Sequence, residues 1–153
     1  MAAGRTVGKY RCGTRRHDMA KMPKEVMDML NNPQSSKVLA TCDSNAKLNA
    51  VPKGTLTAVD DETIAFADIF GDKTNVNLKA THQAAVAVFT MNLPPVGYQV
   101  KGTFQGFQTS GAMFDTFAKK VKEMLNLDIR AVGTIKVDEV YAAGVPKPGA
   151  KLA

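Results

Sequence analysis

The first links between the apolar segments of this chain are too short to hold helices. Lys37-Val38-Leu39-Ala40-Thr41-Cys42 is joined to the next segment by Asp43-Ser44-Asn45-Ala46-Lys47, a hairpin-type turn. Leu48 to Val59 is joined to Thr63 to Ile69 by Asp60-Asp61-Glu62 alone. A doubly wound parallel sheet needs a crossover of about a dozen residues between most strands. That architecture is excluded, and antiparallel hairpins are predicted in its place.

The second segment carries Pro52 and Gly54. Proline is confined to edges and bulges, and glycine allows close backbone approach, so something is expected to dock on the main chain there. Ala84 to Met91 is a continuous apolar run and reads as a central strand. Tyr98 to Thr109 is a long strand whose alternation slips at Gly106. Phe104 and Phe107 cannot share a face without a bulge. A last strand spans Arg130 to Tyr141.

Three helices are predicted. One begins at Pro23, carries Val26, Met29 and Leu30 at helical spacing, and stops at Asn31-Asn32-Pro33. A short one runs from Lys73 to about Ala80. A third follows Ser110-Gly111 to about Asn126, with Phe114, Phe117, Val121, Met124 and Leu125 as its apolar stripe. The order is helix, three antiparallel strands, short helix, two strands, long helix, strand. Six strands linked in this way predict a small, closed or partly closed barrel with helices outside.

Charge is unevenly placed. Residues 1–22 hold six basic residues and one acid, whereas the remainder, with 14 basic and 13 acidic residues, is close to neutral. The net charge of +6 therefore belongs mainly to a segment expected to be flexible. A folded domain is expected over 23–143, and a flexible tail over 144–153, which includes Val145-Pro146-Lys147-Pro148-Gly149. Nucleic-acid binding through the basic segment is disfavoured, because the folded part is nearly neutral and has no tryptophan. No stretch is long and apolar enough for a membrane helix. Cys12 and Cys42 form no C-x-x-C pair, and two free thiols suggest a reducing cytoplasm.

The chemistry-bearing stretch is Ile64 to Ile69 followed by Gly71-Asp72-Lys73-Thr74-Asn75-Val76-Asn77-Leu78. A strand ends in a glycine turn and a helix opens with an acid, a lysine and a hydroxyl. Free N–H groups and the dipole at a helix start favour an anion, and Lys73, Thr74 and Asn77 suit a phosphate. On local sequence alone, the plainer reading is a helix capped by Asp72 with Lys73 in solvent. The stretch is not a P-loop: Asp72 stands where the motif needs glycine before the lysine.

Four stretches in this order resemble the pyridoxamine phosphate oxidase-like FMN-binding split barrels, particularly their small single-domain members. They are Ser36 to Asp43, Leu48-Asn49-Ala50-Val51-Pro52-Lys53-Gly54, Ile64 to Asp68 with Lys73-Thr74-Asn75-Val76-Asn77-Leu78, and Gly97-Tyr98-Gln99-Val100-Lys101-Gly102. The resemblance covers roughly Pro23 to Tyr141. It implies an antiparallel split β-barrel, mainly β with flanking helices, and a homodimer with FMN at the subunit interface. It places the FMN phosphate near Lys73 and Thr74, supported by Asn77. It places the ring against Asn49, Val51, Pro52, Lys53 and Gly54 and near the turn from Asp68 through Gly71.

Lys53 and Lys101 are the candidates for a cation near the flavin N1–C2 edge; the alternative is that both point into water. The implied function is a flavin reductase or small electron carrier fed by NADH, NADPH or a redox protein. Competing readings are a non-catalytic module holding flavin, haem or a deazaflavin, and a haem-degrading relative. Beyond residue 22 the chain has a single arginine, Arg130, and a single histidine, His82. The arginines and histidines that hold pyridoxamine phosphate in dedicated oxidases therefore lack counterparts. His82 at a helix end reads more simply as a cap or surface residue than as a ligand.

Overall fold

The computed structural model describes residues 20–153. Cys12 and most of the basic segment lie outside the described residues. Helix α1 (Lys24–Asn31) follows Pro23 and buries Val26 and Leu30, one helical turn apart. Next come β1 (Ser36–Cys42), β2 (Leu48–Pro52), β3 (Thr57–Ala58) and β4 (Thr63–Asp68). They are followed by α2 (Lys73–Thr81), β5 (Gln83–Thr90), β6 (Val96–Gln108), α3 (Ala112–Leu125) and β7 (Ala131–Ala142).

The strands form a single antiparallel sheet in the order β2-β1-β5-β6-β7-β4-β3. The fold is thus mainly β with three helices, a split rather than closed barrel. The single second strand expected over Leu48 to Val59 is two strands, β2 and β3, which makes seven strands rather than six. Pro52 ends the ladder, and the Lys53–Thr55 turn separates the pieces. A side chain stitches this turn to β4. Thr55 Oγ1 accepts from Ala67 N–H at 3.1 Å and lies 3.5 Å from Ala67 C=O.

The β6–β7 ladder shifts register between Phe104 and Gly106, and Gly106 has φ of +132°. That conformation is costly for any residue with a side chain. The resulting bulge lets Phe104 and Phe107 pack together, with ring centroids 4.8 Å apart. The main core lies inside the curl and includes Leu39, Ile64, Phe66, Leu78, Val86 and Ile135. A second cluster seats α3 on β4 and β7 through Phe117, Val121, Ala65, Ala67 and Val132. The expected stripe on α3 is narrower than its sequence suggested. Met124 and Leu125 are 64% and 54% exposed, and only Phe117 and Val121 of the stripe are buried.

Central position holds for β5, between β1 and β6. Its inner residues Ala84, Val86 and Val88 are buried, whereas Ala85, Ala87 and Phe89 are only half-buried on the outer face. At the C-terminal end, Leu152 N–H donates to Val140 C=O at 2.8 Å, and Ala153 packs against the main core. Residues 149–153 thus return along β7.

Candidate functional site

The start of α2 is built from strand alternation on β1 and β2. Thr41 and Asn49 are directly opposed, so both side chains share one face. Asn49 Nδ2 donates to Thr74 Oγ1 at 3.1 Å, and Asn77 Nδ2 donates to Thr41 Oγ1 at 3.1 Å. Thr41, Thr74 and Asn77 are all buried. The group locks the first turn of α2 onto the β1–β2 ladder.

The turn before α2 is fixed from its other side. Asp68 is buried at the end of β4, and its Oδ1 accepts from Gly71 N–H at 2.9 Å and from Arg130 Nη2 at 3.1 Å. Arg130 Nη2 also donates to Gly71 C=O at 2.6 Å. Gly71 is required by space: an added Cβ would lie 2.4 Å from Asn75 Oδ1 and 2.5 Å from Asp68 Oδ1.

Asp72 precedes the helix, but neither it nor any other side chain caps it, contrary to the capped alternative. The first hydrogen bond at this end runs from Val76 N–H to Asp72 C=O. The N–H groups of Lys73, Thr74 and Asn75 are therefore left for another acceptor, as at any uncapped helix start. Lys73 is exposed beside them and forms no ion pair among the described residues. Three backbone donors, an ammonium and a hydroxyl are the donor set that a phosphate monoester needs. The residues present fit such a group.

The remaining predicted residues divide. Val51 is half-buried on the face of Asn49, and Pro52 and Gly54 are exposed at the end of β2 and in the following turn. Lys53 is half-buried, with Nζ 5.2 Å from the centre of the Phe66 ring. Burial pulls its pKa below the ordinary lysine value; Asp68 opposes the shift and Arg130 adds to it. Lys101 lies apart on β6, where Nζ is 3.8 Å from Glu139 and 5.0 Å from the centre of the Tyr141 ring. His82 closes α2 in the left-handed conformation and sets Nδ1 3.2 Å from Phe104 C=O. That is the cap expected of it. Cys42 carries a free thiol, 3.7 Å from Gln83 Oε1.

Two residues that hold this candidate site, Thr41 and Arg130, carried no such signal in the sequence. Alternation along Lys37-Val38-Leu39-Ala40-Thr41 would have put Thr41 on the inner face with Leu39, and Arg130 stands out as the single arginine beyond residue 22. No local pattern joins them to α2.

A fold with a phosphate-suited helix start at the edge of a split antiparallel barrel defines a class, and comparison with known proteins names it. Residues 22–143 match the family model described as pyridoxamine 5'-phosphate oxidase, so the chain belongs to that family. Among solved structures it is similar to HupZ of Group A Streptococcus, at 24% identity and TM-score 0.73, covering 86% of this chain and 99% of that one. An FMN-binding protein from Syntrophomonas wolfei is 21% identical with TM-score 0.70, covering 80% and 89% respectively. HutZ, the heme storage protein from Vibrio cholerae, shares the fold at 9% identity and TM-score 0.58, covering 79% and 94%. No curated protein matches the chain.

Proposed function

We propose that this chain is an FMN-binding flavoprotein that acts as a flavin reductase or small electron carrier. The observation that carries the reading is the uncapped start of α2, with three free N–H groups and Lys73 beside them, held by Asn49, Thr41 and Asn77. When bound, FMN supplies the redox chemistry. The protein binds the phosphate with Lys73 and Thr74, orients the ring along the Asn49–Gly54 segment, and sets a cation, Lys53, at that segment's end. NADH, NADPH or a redox protein serves as the electron donor. The FMN-binding neighbour from Syntrophomonas wolfei supports the choice of cofactor at the level of the fold.

The functional unit in this reading is a homodimer located in the cytoplasm. Its support is the outer face of β1, β2 and β5. There Val38, Ala40, Ala85, Ala87 and Phe89 are half-buried and Leu48 is 90% exposed. A contiguous apolar sheet face of this kind is normally covered by a partner.

The test is an absorbance spectrum of the purified protein with added FMN. Oxidised-flavin bands with quenched flavin fluorescence, followed by bleaching on addition of NADH or NADPH, are the expected result. A haem Soret band in its place would move the function to haem binding, in line with what the HutZ neighbour stores. Binding of flavin without bleaching would leave a storage module.

A further inference from the structure

A groove of about 210 Å³ lies between the start of α1 and the C-terminal return along β7. It stands apart from the start of α2. Thr41, which holds that helix, is level with Ala84 on β5 and Gly102 on β6. Tyr98, in the groove, is four residues from Gly102, roughly 13 Å along the strand at about 3.3 Å per residue.

The walls are held by backbone. Ala142 N–H donates to Ala150 C=O at 2.9 Å, and Gly149 N–H donates to Ala142 C=O at 2.7 Å, which closes the loop 143–148. Ala143 N–H ties that loop to the start of β6 through Gly97 C=O at 2.8 Å. Gly144 lies against the same strand only because it has no side chain. An added Cβ would sit 2.5 Å from the Pro95 carbonyl oxygen and 2.9 Å from Gly97 N.

The lining is apolar at Val96, Ala142 and Leu152, with three polar side chains: Glu25, Tyr98 and Lys147. Tyr98 shares the inner face of β6 with Val100 and packs against the main core. Burial raises its pKa and the negative charge of Glu25 adds to the rise, so the carboxylate is felt at the phenol. The Tyr98 hydroxyl has no hydrogen-bond partner among the described residues. Glu25, in the first turn of α1, and Lys147 form no ion pair among those residues, with each other or with any other group.

An exposed charge needs no partner by itself. Here two of opposite sign line one groove, and the surface between them suits hydrocarbon. A carboxylate recognises an ammonium, and an ammonium recognises a carboxylate. The space equals about seven waters at roughly 30 Å³ each, which admits one small molecule and no nucleotide. We propose that this groove binds a small zwitterion with an apolar side chain, of the class of a free aliphatic amino acid. Glu25 and the Tyr98 hydroxyl take its ammonium, Lys147 takes its carboxylate, and its hydrocarbon rests on Val96 and Leu152. The site goes beyond the flavin reading and does not depend on it.

The experiment is calorimetric titration of the full-length chain with L-leucine, isopentylamine and isocaproate. The amine lacks the carboxylate of leucine, and the acid lacks its ammonium. Wild type is expected to bind leucine saturably and each of the other two about 10-fold or more weakly, the loss expected for one charge-assisted contact. Glu25→Gln should weaken leucine and isopentylamine while leaving isocaproate unchanged. Lys147→Met should weaken leucine and isocaproate while leaving isopentylamine unchanged. Both residues are exposed, so both variants keep the fold. No saturable binding of leucine by wild type overturns the proposal. Leucine binding that both substitutions leave intact overturns it equally, because the ligand then sits elsewhere.

Discussion

Arg130 and Asp68 are paired twice, once through side chains and once through backbone. Arg130 Nη2 meets Asp68 Oδ1 at 3.1 Å, and Arg130 N–H donates to Asp68 C=O at 2.8 Å. The pair joins the entry of β7 to the exit of β4, 62 residues apart in sequence. Because Arg130 also holds Gly71 C=O, the same clamp fixes the turn that delivers Lys73 and Thr74.

Arg130→Met removes the counter-ion of a buried carboxylate and one hydrogen bond to the turn. The arginine side chain is 57% exposed, which moderates the loss. A destabilisation of about 1–3 kcal/mol is expected, read as a lower urea midpoint at unchanged slope. An unchanged midpoint would show that the clamp contributes nothing to the turn.

Thr41→Val keeps the shape of the side chain and deletes the acceptor used by Asn77, and by Asn49 at a longer 3.5 Å. Asn77 is buried, so its amide loses a partner that water cannot easily replace. The cost expected is about 1–3 kcal/mol, with weaker FMN binding because α2 is no longer locked to the ladder. Loss of stability with unaltered FMN affinity would separate the network from the cofactor site.

Hairpin links and strand alternation were legible because they are local. Asp43 to Lys47 and Asp60 to Glu62 announced their turns, and the Gly106 slip announced its bulge. The break between β2 and β3 was half-legible. Pro52 and Gly54 were read as an interruption, but the ladder ends at Pro52 and resumes only at Thr57 with a different partner, β4. The candidate site was legible where a helix start carries its own chemistry, at Lys73, Thr74 and Asn77. It was illegible where residues meet by tertiary contact alone, as Arg130 meets Asp68 or Lys37 meets Gly54. The separation of Lys101 from the α2 group has the same origin, since strand order decides which residues of β6 lie near α2.

Lys73→Ala isolates phosphate binding. The side chain is exposed and unpaired among the described residues, so the Tm of the flavin-free protein should be nearly unchanged. FMN affinity should fall by about 1.5–3 kcal/mol, whereas riboflavin, which lacks the phosphate, should bind mutant and wild type alike. Equal losses for both ligands would place Lys73 at the ring rather than the phosphate.

Ala87→Arg tests the outer face. Ala87 is opposed by Val38 on β1 and by Gln99 on β6, which puts it in the middle of the sheet rather than at an edge. An arginine there adds a charge to a half-buried apolar face and should convert the proposed homodimer to a monomer by light scattering. FMN binding should fall in parallel if the cofactor sits at the interface. A monomeric wild type would remove the dimer from the proposed function.

Lys37 gives the stability of the fold a pH dependence of defined sign. Burial and Lys120 hold its folded pKa below the ordinary 10.5, so in the interval between the two values the unfolded chain binds more protons than the folded one. The contribution of this residue to stability therefore rises with pH through that interval and is constantly unfavourable below it. The advantage of Lys37→Met over wild type should be largest near neutral pH and shrink as pH approaches about 10, measured as the difference in urea midpoints. An advantage that grows with pH would mean that Lys37 is held by an acceptor which stabilises its charged form.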